Sequence, residues 1–307
     1  MPSKHRPVTT YVVEKPRITY AQPTDSWLRR RLITGTEVLF GRRGVERIYR
    51  DLKSRKFDAH AFFRGALDAG RVRVQWHGVD VESVPEHGPL VILANHPFGV
   101  VDGLVLCDLA MRLRGDFRVL IHSALCQDRD LAPYFLPIDF SESRAAVRTN
   151  VRSKQLAREA LAHDVPVLIF PAGAVSTATR RFGFGPVEEQ PWSTFVARLV
   201  HENHASVLPL YFHGRNSRKF HVASSIAEFL RMALLLAEVR NKFDTDIHVT
   251  VGELLPYVEL ERLRGRRELT DHLYRTVMHL HDPRLPPRPR GRWRRLKPQR
   301  TPESFRY

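Results

Sequence analysis

The chain has 307 residues, 43% hydrophobic, 27% charged and 9% aromatic, a globular composition that excludes collagen-like, low-complexity and disulfide-scaffold classes. Lys and Arg number 49 against 33 Asp and Glu, and the resulting +16 points to anionic partners: a lipid surface, phosphorylated substrates or nucleic acid.

Residues 1–25 are polar and punctuated by proline, and read as a flexible segment; Lys4, Arg6 and Pro7 without an apolar core do not make a signal peptide. Helical spacing over 27–40, 44–52 and 59–69 defines an N-terminal helical region, 26–70. Trp27-Leu-Arg-Arg-Arg-Leu-Ile33 mixes aromatic, aliphatic and basic residues, as an interfacial segment or as a helix covering the core. The main domain, 71–281, alternates strands and helices. Strands are expected over 72–76, 90–94, 117–121, 165–170, 206–212 and 246–251, and helices over 102–113, 150–162, 192–202, 225–241 and 260–279. This alternation predicts an α/β layered fold. From Pro283 onward nine basic residues stand against the single acid Glu303 in a Pro-rich stretch, so 282–307 reads as a disordered basic tail.

The longest apolar run, Met232–Ala237, is far short of the about 18 residues a transmembrane helix needs. Cys107 and Cys126 form no CxxC or zinc-type spacing; no disulfide or zinc site is expected, and a reducing compartment fits. His201 and His204 lack a supporting carboxylate pattern for a metal.

Three strand ends gather polar residues, at the sheet edge where α/β proteins bind ligands. The first is Asn95-His96-Pro97-Phe98-Gly99-Val-Val-Asp102-Gly103: His96 suits a general base and Asp102 a group that orients it, or Asn95 and Asp102 are turn and helix caps and His96 a surface histidine. The second is Phe170-Pro171-Ala172-Gly173-Ala174-Val175-Ser176, a turn whose backbone N–H groups near Gly173 suit an oxyanion, or an ordinary loop. The third is Gly214-Arg215-Asn216-Ser217, with Arg218 and Lys219 following, a phosphate-holding loop or a solvated one.

The first two segments and the apolar strand Val207-Leu208-Pro209-Leu210 ahead of the third resemble the first, third and fourth blocks of the glycerolipid acyltransferase superfamily, which includes lysophosphatidic acid acyltransferases, and residues 95–103, 170–176 and 214–217 resemble most closely its bacterial hemolysin-like or lyso-ornithine lipid acyltransferase branch. The resemblance spans residues 32–281. It implies a mixed, mostly parallel sheet flanked by helices and an enzyme that moves a fatty acyl group from acyl-CoA or acyl-carrier protein to a lysolipid hydroxyl, lyso-ornithine lipid or a lysophospholipid. It implies His96 as base and Asp102 as its partner, and Asn95, Gly99, Phe170, Pro171, Gly173, Ser176, Arg215 and Asn216 as substrate-binding residues. No cofactor or metal is required, because the thioester is already activated. The expected partners are the lysolipid, the donor and an anionic membrane surface, with peripheral placement on the cytoplasmic face of the inner membrane.

The departures are specific. Five residues separate His96 from Asp102 where the family has four, which on a regular helix turns Asp102 by about 100° away from His96, unless the Pro97–Gly99 turn absorbs the insertion. Ala172 and Val175 stand where the family carries Glu and Arg, which weakens a phosphate-bearing acceptor. The arginine of the family's second block has no clean match; Arg144 and Arg148 are its candidates. A catalytically inactive lipid-binding relative is the alternative that the spacing raises. Arg290-Gly-Arg-Trp-Arg-Arg295 raises a nucleic-acid-binding one, but no nucleic-acid-binding motif accompanies it and no such partner is expected. A hydrolase of the thioester alone is a further alternative.

Overall fold

The computed structural model describes residues 11–13, 16, 19, 26–39, 42–54, 57–179, 185–226 and 228–285. Most of the expected N-terminal flexible segment, and the basic tail from residue 286 on, lie outside the described residues.

The strand period sets the layers. In β2 (Leu90–Ala94) every side chain is buried, with Leu90, Ile92 and Ala94 packing into one core and Val91 and Leu93 into another. The elements around it, in chain order, begin with α1 (Trp27–Leu39), α2 (Arg42–Lys53), α3 (Ala59–Ala69) and β1 (Arg73–Gly78). After β2 come α4 (Val100–Arg114), β3 (Arg118–His122), β4 (Phe135–Ile138), α5 (Arg144–Leu161) and β5 (Val167–Ile169). The hairpin strands β6 (Thr177–Ala178) and β7 (Val187–Glu188) follow, then α6 (Phe195–Asn203) and β8 (Ser206–His213). The chain continues with α7 (Arg218–Ile226), α8 (Glu228–Asn241), β9 (Asp246–Val251), α9 (Tyr257–Leu260) and α10 (Arg266–His279).

The seven-stranded sheet has the order β1-β9-β8-β2-β5-β3-β4 and is parallel throughout except between β8 and β9. The fold is therefore α/β with a mixed, mostly parallel sheet. One core holds Phe63 and Leu67 of α3 with Val105, Leu106 and Leu109 of α4. The opposite core holds Leu156 and Ala157 of α5, Val196 and Val200 of α6, and Leu269 and Leu273 of α10.

Four details differ from the sequence expectations. The segment 135–138 is an edge strand although it contains Pro137, a residue an edge tolerates because its missing N–H faces no neighbour. α5 starts six residues before the expected 150, because Ser143 caps it by accepting the Ala146 N–H at 3.0 Å. Helix forms from Arg218, in the segment expected to be loop, and the 225–241 helix is two elements, α7 and α8. The final helix is also two elements, the second beginning at Arg266 after its cap Gly265, whose N–H donates to the Glu268 side chain.

The Trp27–Ile33 question divides by residue. Ile33 is buried in the core, whereas Trp27 and Leu28 are 69% and 61% exposed. No helix among the described residues is long and apolar enough to cross a membrane.

Candidate active site

His96 follows β2 at the carboxyl edge of the parallel strands. Its neighbours there come from the other two blocks. The Ser176 N–H donates to the His96 carbonyl at 2.9 Å, and Asn216 Nδ2 reaches the Phe98 carbonyl at 3.5 Å. The three segments thus converge on one turn, residues 95–99.

The inserted residue does not separate His96 from Asp102. Their contact, Nδ1 to Oδ2, is 3.1 Å. The 100° argument assumes a continuous helix, but α4 begins only at Val100, and residues 96–99 form a non-helical turn. Asp102 is the third residue of α4, and the same Oδ2 accepts the Phe98 N–H at 2.8 Å and the Gly99 N–H at 3.0 Å. Asp102 is therefore both the histidine partner and the helix-capping acid, the two readings the sequence left open. Gly99 makes this turn possible. Its φ of 91° and ψ of −117° are essentially restricted to glycine, and a Cβ there would lie 3.1 Å from Leu235 and 3.3 Å from Val175. Gly99 shapes the turn and presents no side chain to a substrate.

The imidazole is fixed on two sides. Nδ1 donates to the carboxylate, and the ring stacks on Phe170 at 4.0 Å between centroids and 24° between planes. Nε2 has no hydrogen-bond partner among the described residues. With Nδ1 carrying the proton, Nε2 is the basic nitrogen.

Several expected binding residues make contacts that hold the scaffold. Asn95 is buried; its Nδ2 donates to the Phe212 carbonyl at 3.0 Å and its Oδ1 accepts the Phe212 N–H at 2.7 Å, so it continues the β2–β8 pairing past the strand end. Asn216, also buried, accepts from Lys242 Nζ at 3.1 Å. The Pro171 carbonyl accepts the Ser193 N–H at 2.9 Å. Gly173 (φ 66°) is exposed, but its own N–H closes the turn onto the Phe170 carbonyl at 2.9 Å; the N–H groups of Ala174 and Val175 have no acceptor among the described residues. Arg215 is half-buried and donates to the Gly185 carbonyl at 3.4 Å. Arg144 and Arg148 are exposed at the start of α5, outside the contacts of the His96 turn; the nearest link is Phe140, whose ring packs on His122 and lies about 4 Å from a Cβ built at Gly173.

The sequence reading missed two groups. Glu189, just after β7, accepts the His96 N–H at 2.8 Å and the Ser176 hydroxyl on Oε1, and the Trp192 indole N–H at 3.3 Å on Oε2. Burial pushes its carboxyl above the ordinary value, while the Ser176 and His96 donors pull it back. Only its place between Pro186 and Pro191, next to Trp192, marked it in the sequence. The second group is the buried pair of Glu238 on α8 and Lys242 just past its end, Nζ to Oε2 3.3 Å. Lys242 Nζ lies 4.7 Å from the Phe98 ring centroid, and Glu238 accepts the Ser217 N–H at 3.0 Å and its hydroxyl at 2.5 Å. Burial lowers the Lys242 pKa, and the charges of Glu238 and Asp102 oppose that shift. The signal for this pair was legible: Glu238, and Lys242 just beyond the helix end, continue at i, i+3, i+4, i+7 spacing the buried stripe of Leu235 and Val239.

Both cysteines are buried and burial raises their thiol pKa values, so neither offers a thiolate nucleophile. His201 Nε2 is engaged with the Leu263 carbonyl at 3.0 Å, and the His204 ring packs on Tyr257.

A family model described as acyltransferase matches residues 19–282. The chain belongs to the acyltransferase family. This agrees with the acyltransferase superfamily that the motif blocks resemble. A lyso-glycine lipid O-acyltransferase of Phocaeicola vulgatus is 30% identical over 212 residues, 66% of this chain and 71% of the relative. A protein of the same name from Bacteroides thetaiotaomicron is 24% identical over 231 residues, 71% and 79% of the two chains. Among solved structures, the 1-acyl-sn-glycerophosphate acyltransferase PlsC of Thermotoga maritima aligns with a TM-score of 0.46 and 13% identity, covering 82% of this chain and 95% of that one.

Proposed function

We propose that this acyltransferase esterifies the hydroxyl of a lysolipid with a fatty acyl group taken from a thioester donor, and that the acceptor is a lyso-aminolipid of the lyso-glycine type. The observation that carries the reaction is the His96–Asp102 pair, with Nδ1 held and Nε2 open. The acceptor hydroxyl gives its proton to Nε2 as its oxygen bonds to the thioester carbonyl carbon. Asp102 holds the tautomer and offsets the positive charge on the ring. The N–H groups of Ala174 and Val175 are the oxyanion donors this turn offers. Collapse breaks the C–S bond, and Nε2 returns the proton to the departing thiolate. The products are an ester and a free thiol.

The acceptor class follows from similarity to the two lyso-glycine lipid O-acyltransferases and from Ala172 and Val175, which remove the charged pair associated with a phosphate-bearing acceptor. Membrane access is assigned to α1, where Trp27, Leu28 and Leu32 are exposed beside Arg30 and Arg31. The donor's carrier, coenzyme A or a carrier protein, is anionic. The exposed face of α5 suits it, with Arg144, Arg148 and Arg152 in a ladder at four-residue spacing.

The test uses purified protein, anionic liposomes, labelled acyl-CoA or acyl-carrier protein, and lyso-glycine lipid, lyso-ornithine lipid and lysophosphatidic acid as acceptors. The expected result is labelled diacyl product with lyso-glycine lipid, lowered about 10²–10⁴-fold in H96A. Product formed equally by H96A overturns the role of His96. Product with lysophosphatidic acid alone overturns the acceptor class.

A further inference from the structure

The hydrogen bonds around His96 leave one freedom unaccounted for. Asp102 holds Nδ1 and Phe170 supports the ring face, but both act on the side chain. The direction in which Nε2 points also depends on the main chain at residue 96, which leaves β2 and enters a turn of glycine-only geometry.

That main chain is held by a closed ring of hydrogen bonds. The His96 N–H donates to Glu189 Oε1 at 2.8 Å, the Ser176 hydroxyl donates to the same oxygen, and the Ser176 N–H donates to the His96 carbonyl at 2.9 Å. Both polar groups of the His96 backbone are thus fixed, and both through the Glu189–Ser176 couple. The second carboxylate oxygen is aimed by Trp192 Nε1–H at 3.3 Å, and the Trp192 ring is set by an edge contact with Tyr274 at 5.4 Å. Glu189 makes no ion pair among these contacts; the His96 backbone N–H, the Ser176 hydroxyl and the Trp192 indole N–H are all neutral donors. Keeping a largely desolvated carboxylate on neutral donors is costly, and a clamp that fixes the acyl-transfer geometry is a function that offsets the cost.

We propose that Glu189 is the positioning residue of the reaction: it locks the His96 main chain to the Ser176 turn, so that Nε2 and the oxyanion-binding backbone keep one relative geometry through turnover. The inference rests on the reading of His96 as the general base. Glu189 acts through His96 and Ser176 and does not itself exchange a proton with substrate.

The test measures kcat and KM of the full chain with lyso-glycine lipid in mixed micelles and acyl-carrier protein or acyl-CoA as donor, for wild type, H96A, E189A, E189Q, W192F and E189Q/W192F. Thermal unfolding midpoints accompany each, and rates are referred to folded protein. E189A is expected to lower kcat about 100-fold, the scale of a misplaced reacting group, with KM changed less than about threefold. E189Q keeps an oxygen for the His96 and Ser176 donors but turns an amide N–H toward the Trp192 N–H. The double variant removes that opposition, so E189Q costs less in the W192F background than in wild type. A generic structural role lowers the unfolding midpoint and yields no such coupling. E189A with kcat within about threefold of wild type overturns the proposal, as does a glutamine penalty that is the same in both backgrounds. If H96A keeps wild-type kcat, the base assignment fails and the proposal falls with it. If H96A is inactive and E189A is not, only the clamp fails.

Discussion

The His96 turn is held from two sides by groups of opposite character. On the hairpin side a carboxylate without an ion-pair partner, Glu189, accepts neutral donors from His96 and Ser176. On the α8 side a fully enclosed ion pair, Glu238–Lys242, grips Asn216 and Ser217 and lies under Phe98. The first touches the main chain of the base itself. The second touches the loop behind it, several bonds from any reacting atom. Removing one charge from an enclosed pair strands the other, which costs stability; removing an acceptor that has no charged partner strands no charge and mainly releases geometry. The two sides should therefore separate in experiment, with α8 governing folding and the hairpin governing turnover.

The largest effect on stability is expected from K242M, which leaves Glu238 buried and unpaired and should destabilise by about 3–5 kcal/mol in denaturant titration. Replacing both partners in E238Q/K242M should recover part of that loss. If K242M instead lowers kcat per folded molecule as much as E189A does, the division between the two sides is wrong.

G99A comes next. The methyl group meets Leu235 and Val175 and requires a backbone conformation that only glycine adopts readily, a strain of about 1–3 kcal/mol. Because the Gly99 N–H also holds Asp102, activity should fall with stability. Unchanged kcat would show that the turn tolerates a different path.

A smaller effect is expected from pH. Burial lowers His213 and His221 to about 4, below their ordinary value of 6.5. Both are neutral when folded, and the unfolded chain binds protons that the folded chain refuses between these values. Their contribution to stability is present above pH 6.5 and is lost as the pH falls from 6.5 through about 4. The unfolding midpoint should drop over that window, and H221Q should flatten the slope. A midpoint independent of pH there would contradict the burial argument.

The smallest effect is expected from the exposed arginines of α5. R148E should raise the KM for the acyl donor by about threefold at low salt, and the difference should shrink as ionic strength rises. A donor KM that ignores both the substitution and the salt would remove α5 from the donor's path.

The sequence alone determined a good deal here, for a physical reason. Period-two burial and strand–helix alternation are local, so β2 with its two-sided core, the α/β class and the three polar strand ends were all legible in one dimension. Capping was also partly legible: Asp102 reads as a helix cap, and it is one. The tertiary structure decided what happens across gaps in sequence. Whether Asp102 still reaches His96 depended on where α4 starts, and that was set by the conformation of Gly99, not by counting residues. The sequence marks Asn95 and Asn216 as polar residues at strand ends; that their amides meet the Phe212 backbone and Lys242 is decided by the fold. Glu189 is linked to His96 only because the β6–β7 hairpin folds back over the turn; the carboxylate and the backbone N–H it receives meet through long-range packing that no local pattern encodes.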